Sequence, residues 1–297
     1  MGSWNEVLAE LSGPDVIRRR YLRALADHTG RNVIAYYSGW LQKNGFTDRQ
    51  AAALLAINDN DKNAFMGAVN KLDRTKGLDL ILHTPGGEIA ATESIVDYLK
   101  KMFTDIRAVV PQIAMSAGTM IALSCRSILM GKHSNLGPID PQVAGVPAHG
   151  IIEEFQQAKR EVAADPSCIP IWQTILSRYT PTLIGQCQKA ITWSSSLAES
   201  WLEEGMLKGK PNAKVVARAI IDDMSKLHHS HARHISAEHV KSLGVVVEHL
   251  EADQKLQDAV LTVHHAFMHT LSATPACKIV ENQDGIATMV QVQVGPK

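Results

Sequence analysis

The chain has 297 residues, 45% of them hydrophobic, 20% charged and 5% aromatic, a balance that fits a globular protein and excludes a disordered, collagen-like or fibrous one. Thirty Lys and Arg offset thirty Asp and Glu, so no net field draws the chain to nucleic acid or to an anionic membrane surface. Cys125, Cys168, Cys187 and Cys277 form no C-x-x-C pair, which predicts reduced thiols and neither a disulfide framework nor a thiolate zinc site.

Elements in chain order begin with a helix over residues 15–25, where Val16, Tyr21, Leu22 and Leu25 fall near helical spacing, and a strand over 32–37 (NVIAYY). Phe65, Val69 and Leu72 at i, i+4 and i+7 place a helix after Asn58-Asp59-Asn60-Asp61, an acidic cluster suited to capping its positive end. A strand at 78–82 breaks at Thr84-Pro85-Gly86-Gly87, and a helix follows over 89–103 with Ile95, Leu99 and Met102 on one stripe. Residues 106–111 read as a strand, 117–124 as a small-residue helix and 127–130 as another strand. The uncharged stretch 108–125 fails as a membrane span, because Pro111, Gln112, Ser116, Gly118 and Thr119 interrupt it.

Strands alternating with helices through short connections predict an α/β fold with a mostly parallel sheet covered on both faces. Residues 150–250 are mainly helical, broken at Asp165-Pro166, Thr180-Pro181 and Lys210-Pro211, with one strand near 245–247. No break is long or polar enough for a flexible joint. The expectation is one domain over 1–297: a helix to about 30, a catalytic core over 31–205 and a mainly helical carboxyl-terminal arm over 206–297. The first residues carry Glu6 and no long apolar core, so a secretory signal is not expected and a cytoplasmic location is.

Two loops follow predicted strands, where reactive groups of parallel sheets gather. In Thr84-Pro85-Gly86-Gly87 the glycines can leave backbone N–H groups facing a cavity, an oxyanion hole in outline, although the same turn reads as an ordinary strand-to-helix connection. In Pro111-Gln112-Ile113-Ala114-Met115-Ser116-Ala117-Gly118-Thr119, Ser116 stands where a strand ends and a helix begins. Unpaired N–H groups there would stabilise an oxyanion formed when Ser116 attacks a carbonyl, and tight packing is the plainer reading of the small residues.

The runs LDLILHTPGG, IRAVVPQIAMSAGTMIAL and MGKHSNLGPIDPQ resemble the serine dehydrogenase proteinase family, relatives of signal peptide peptidase A within the Clp protease and crotonase superfamily, and the likeness extends from RNVIAYYSGWLQ to EADQKLQDAVL and KIVEN. The resemblance implies a Clp protease/crotonase-like fold built from repeated β-β-α and β-α units. It also implies Ser116 as nucleophile, with the N–H groups of Gly87 and Ala117, joined by Gly86, as oxyanion hole. The stretch 134–140 carries no His where the Clp protease subunit has its base. The resemblance implies instead a Ser–Lys dyad of the signal-peptide-peptidase type, whose lysine follows the serine by some forty to fifty residues, and so Lys159, 43 residues after Ser116, as the base rather than Lys132 or Lys189. The amine must be neutral to act, which requires a pKa lowered from about 10.4 by burial or nearby positive charge.

The expected function is a serine peptidase without cofactor or metal, with a peptide bound as an added strand along the segment after Gly87 and along Leu136, Gly137, Pro138 and Ile139. The alternatives are a crotonase-like acyl-thioester enzyme and a non-catalytic assembly or regulatory subunit. A homo-oligomer is implied by the resemblance, and an unfoldase or regulatory partner has no docking loop to identify it; no nucleic acid or membrane partner is expected.

Asp59, Asp61 and Asn63 copy the start of a calcium loop, but Ala64 and Asn70 replace its Gly and Glu, so helix capping is the expectation. His228, His229, His231, His234 and His239 complete no recognisable metal site, and Ala266 between His265 and His269 excludes a zinc peptidase motif. His83 and His133 flank the two loops as hydrogen-bonding groups or as substitutes for the lysine.

Overall fold

A computed structural model describes residues 14–43, 53–143, 145–225 and 232–292. Helix α1 (Pro14–Thr29), strand β1 (Asn32–Ser38), helix α2 (Asn60–Val69), strand β2 (Leu78–His83), helix α3 (Ile89–Met102), strand β3 (Ile106–Val110), the short β4 (Ile113–Ala114), helix α4 (Ala117–Leu123) and strand β5 (Ser127–Met130) follow the predicted alternation closely. Short strands β6 (Asn135–Leu136), β7 (Gln142–Val143) and β8 (Val146–Pro147) lead into helices α5 (Ala148–Ala164), α6 (Ile169–Leu176), α7 (Leu183–Glu204) and α8 (Ala213–Met224). The proline breaks fall between these helices, where a missing N–H and a fixed φ end each run. Strand β9 (Ile235–Ser236), helix α9 (Ala237–Ser242), strand β10 (Val247–His249), helix α10 (Gln254–Ala273) and strands β11 (Ala276–Asn282) and β12 (Ala287–Gln291) complete the described chain.

The main sheet has seven strands in the order β10-β5-β3-β2-β1-β11-β12. Pairing is parallel from β10 to β1, and β11 and β12 add antiparallel. The carboxyl-terminal segment therefore departs from the helical arm expected there: residues 276–291 are a hairpin that completes the sheet. Lys278, Glu281 and Asn282 interrupt the apolar pattern of β11, yet all seven of its residues are buried. Partners distant in sequence make this tolerable. Arg18 Nε donates to Glu281 Oε2 at 2.7 Å, and both side chains are fully buried.

Alternate strand residues enter different cores, as the two-residue period of a strand requires. Ile34, Tyr36, Leu80, Leu82, Ala108, Val110, Ile128 and Met130 join the core beneath α2, α3, α4, α7 and α8. Val33, Ala35, Tyr37, Ile81, Val109 and Leu129 join a second core beneath α1 and α10. Both faces are covered, which explains why the parallel strands read as continuous apolar runs. No described helix is long and apolar enough to cross a membrane.

At the amino ends of the strands, charged groups fix the register. Asp79 on β2 stands opposite Arg107 on β3 and receives hydrogen bonds from Arg107 and from Arg31, which precedes β1. Arg107 extends the chain of contacts to Glu248 on β10 at 2.8 Å. Burial alone would lower the Arg107 pKa, but the bonds and charges of Asp79 and Glu248 outweigh it and hold the guanidinium above its ordinary value.

Candidate active site

Strands β2 and β3 end side by side, Ile81 opposite Val109, so the loops that follow them begin as neighbours. An isolated parallel bridge between Thr84 and Ala114 joins them, and the Met115 N–H donates to the Thr84 carbonyl at 2.9 Å. This brings Gly86 against Ser116. A Cβ on Gly86 would lie 2.7 Å from the Ser116 Cβ and 2.8 Å from the Met115 carbonyl oxygen, and the φ of +98° is itself one that L-residues rarely adopt.

Ser116 has φ 50° and ψ −116°, precedes α4 as its N-cap and makes no side-chain capping bond. Such a backbone costs on the order of 1–3 kcal/mol and persists where neighbours over-determine it. Here α4 is buried at every position, and the Thr119 hydroxyl donates to the carbonyls of Ala114 and Gly137 at 2.8 and 3.0 Å. Ser116 is only half-buried and borders a cavity of about 710 Å3.

The predicted donors separate on this geometry. Ile57 docks beside Gly87 in a parallel bridge: its N–H donates to the Gly86 carbonyl at 2.8 Å, and its carbonyl accepts from the Glu88 N–H at 2.9 Å. In a parallel bridge the central residue's own N–H and C=O point the other way, so Gly87, which borders the cavity, turns its N–H away from Ile57. Ala117, the first residue of α4, has no intrahelical acceptor for its N–H. The Gly86 N–H is already engaged, donating to Thr84 Oγ1 at 3.2 Å.

The cavity walls include Trp40, Leu55, Ala56, Met120, Ile139, Pro141, Ala190 and Trp193, with Glu88 the ionisable side chain among the described lining residues. Lys159 is exposed on α5 and lines a separate apolar groove with Trp172 and Leu176, which shares no residue with the Ser116 cavity. The structure does not bring Lys159 and Ser116 into one cavity. Lys189 is exposed on α7, four residues before Trp193. Ala190 and Trp193 of this helix line the Ser116 cavity, and Lys189 is not among the lining residues.

Leu136, Gly137, Pro138 and Ile139 do not offer the free strand edge expected of them. Strand β6 is flanked by β4 and by β9. The Gly137 N–H is shared between the Ala114 carbonyl and Thr119 Oγ1, and the Ile139 N–H donates to the Met224 carbonyl at 3.1 Å. The Ile139 carbonyl accepts from Ser194 Oγ at 3.1 Å. Strand addition along this segment is closed by residues some hundred positions later in the chain, and Ile139 serves instead as cavity wall.

His83 is wholly buried, packed on Tyr37, Trp40 and His264, and neither ring nitrogen has a hydrogen-bond partner among the described residues. Burial pushes its pKa down to about 3, so it stays neutral behind the glycine loop. His133 is exposed. Asp59 is the N-cap of α2 without a side-chain capping bond, and Asp61 turns inward to Lys278. His228, His229 and His231 lie outside the described residues, whereas His239 pairs with Asp223 at 2.8 Å. Among the described residues, no group of three or more His, Cys, Asp or Glu is arranged to hold a metal.

Sequence reasoning missed Trp40, Leu55, Ile57 and Trp193. Their one signal was apolar character, which does not distinguish a cavity wall from core. The geometry of two joined loops, a strained serine and a docked glycine turn agrees with what the comparisons with known proteins return. The chain is 30% identical over 192 residues to an uncharacterised protein of Methanocaldococcus jannaschii, covering 65% of this chain and 60% of that protein. A second uncharacterised protein of the same organism is 32% identical over 152 residues, 51% of each chain. The chain thus spans between half and two thirds of the length of these relatives. The ATP-dependent Clp protease proteolytic subunit of Streptococcus sanguinis is 35% identical over 71 residues, 23% of this chain and 36% of that subunit. A family profile described as ClpP-like SDH-type serine proteinase matches residues 14–280, and the chain belongs to that family.

Proposed function

We propose that this protein hydrolyses peptide bonds with Ser116 as nucleophile, with the N–H groups of Gly87 and Ala117 receiving the developing oxyanion. The observation that carries the reading is the close approach of Gly86 to Ser116: it supports pairing a strained, half-buried serine with the glycine turn that borders the same cavity. Attack by Ser116 Oγ on an amide carbonyl forms a tetrahedral anion, and its collapse expels the amine and leaves an acyl-serine that water then hydrolyses.

The proton leaving Ser116 needs an acceptor that returns it to the amine. The family resemblance supports a lysine in that role, in a Ser–Lys dyad. Lys159 is the base that the family resemblance implies; Lys189, on the helix that contributes Ala190 and Trp193 to the cavity wall, is the second candidate.

A serine-reactive fluorophosphonate, read by mass spectrometry, is expected to label Ser116, and Ser116→Ala is expected to keep its fold while losing both labelling and casein cleavage. Full cleavage by Ser116→Ala sinks the reading. Lys159→Ala and Lys189→Ala separate the two dyads, since only loss of the true acceptor abolishes turnover. Exposed Ile169 and Ile171 near the Lys159 groove support a homo-oligomer, which light scattering at micromolar concentration tests.

A further inference from the structure

We infer that a buried network of Lys278, Asp61 and Tyr36 is the positioning device of the oxyanion loop; the inference rests on the peptidase reading above. Lys278 on β11 and Asp61 in the first turn of α2 are 217 residues apart in sequence, and their side chains keep only 2% and 3% of their surface exposed. The Lys278 ammonium donates to both Asp61 carboxylate oxygens at 3.0 Å and to the Ala56 carbonyl at 2.6 Å. Asp61 Oδ2 also accepts from the Tyr36 hydroxyl at 2.9 Å and from the Asn58 N–H at 3.0 Å.

The targets of this network matter more than its charge. Ala56 and Asn58 flank Ile57, the residue docked to the oxyanion turn through the Gly86 carbonyl and the Glu88 N–H. The preceding carbonyl, of Leu55, is held by Ser38 Oγ at 2.7 Å. Leu55, Ala56 and Asn58 thus each have a backbone group fixed from the sheet or from α2, and Ile57 between them passes that fixation to Gly87. The fit leaves no slack: a Cβ on Gly87 would come within 2.2 Å of the Ile57 carbonyl oxygen.

A buried ion pair is a poor source of net stability, because desolvation offsets the attraction, and apolar replacements of similar volume often do as well. Conformational specification is the remaining use, and here the segment specified is the one that aims a catalytic N–H. Lys278, Asp61 and Tyr36 touch no substrate in this account. They act through Ile57.

The test uses the full chain. Asp61→Asn combined with Lys278→Met removes both charges together, so neither is left buried alone. This variant is expected to fold, by circular dichroism and thermal melting, while kcat for casein and the fluorophosphonate labelling rate at Ser116 fall about 100-fold with KM nearly unchanged, as misplacement of a catalytic group by ~1 Å would produce. Tyr36→Phe removes one hydrogen bond from a ring that keeps its stacking on Phe65; it provides a folded variant if the double substitution does not, with a threefold to tenfold fall in kcat expected. A folded variant with wild-type kcat and labelling overturns the inference.

Amide hydrogen exchange of residues 84–90 supplies a readout independent of turnover. Faster exchange in the folded variants supports positioning even if the wild-type protein neither cleaves nor labels, an outcome that would sink the peptidase reading alone. Unchanged exchange in those variants overturns the positioning role.

Discussion

At the amino ends of the parallel strands, Asp79 receives guanidinium groups from both neighbouring segments, and Arg107 passes the contact on to Glu248. At the carboxyl ends of β2 and β3, main-chain bridges and a glycine turn hold Ser116 in a backbone conformation that costs energy. One end satisfies its polar groups; the other keeps a hydroxyl and N–H groups available and relies on distant elements to hold them. The contrast separates residues whose loss should unfold the protein from residues whose loss should silence it.

The largest expected effect on stability lies at the satisfied end. Asp79→Ala leaves Arg31 and Arg107 without their shared carboxylate in a site where Asp79 is 1% exposed, and breaking such a group is expected to cost about 3–5 kcal/mol. Chemical denaturation should show this, with activity per folded molecule little changed. If that activity falls steeply instead, the division between the two ends fails.

Gly86→Ala tests the opposite end. The added methyl meets Ser116 Cβ and the Met115 carbonyl, and the expected outcome is a loss of about 100-fold or more in kcat/KM. The cost in stability from the left-handed backbone is smaller, about 1–2 kcal/mol. Steady-state kinetics beside a melting curve separates the two.

A pH titration of stability sharpens the comparison further, because His83 is wholly buried directly before the glycine loop. Its folded pKa of about 3 lies below the ordinary 6.5, so the unfolded chain takes up a proton over a range in which the folded protein does not. Stability is therefore present above pH 6.5 and is lost as pH falls toward 3, by roughly 1.4 kcal/mol per pH unit for this group. His264, whose pKa burial also lowers, adds in the same direction. Calorimetry should find a shallower slope for His83→Gln.

The smallest effect concerns Ser116 itself. Ser116→Gly abolishes the proposed chemistry but relieves the strained backbone at φ 50°, and the entropy of a more flexible unfolded chain takes back part of the gain. A net stabilisation of roughly 0.5 kcal/mol is expected. Destabilisation by more than about 1 kcal/mol would show that the serine conformation is not under strain.

The alternating core was legible because β1, β2, β3 and β5 are apolar on both faces and the helices between them carry clear stripes. Ser116 and the glycine turn were legible because strand ends and small residues coincide twice. The closing hairpin was not read from ACKIVEN, since Lys278 and Glu281 look like solvent-facing residues until Asp61 and Arg18 are found beside them. Asp284-Gly285, a turn pair that often joins strands, was the available hint. Lys159 shows the limit of spacing along the chain: 43 residues of separation from Ser116 do not fix which side of α5 meets which cavity. The blocked edge of β6 depends in the same way on β9, a two-residue strand too short to leave a pattern.

The antiparallel seat of β11 beside β1 has a temporal consequence. A growing polypeptide makes β1 well before β11, so β1 waits with the edge that β11 will fill unpaired until the later strand is made. The ammonium that steadies the segment beside the glycine turn arrives with that late strand. A nascent chain therefore lacks the hydrogen bond from Lys278 to the Ala56 carbonyl until that strand seats.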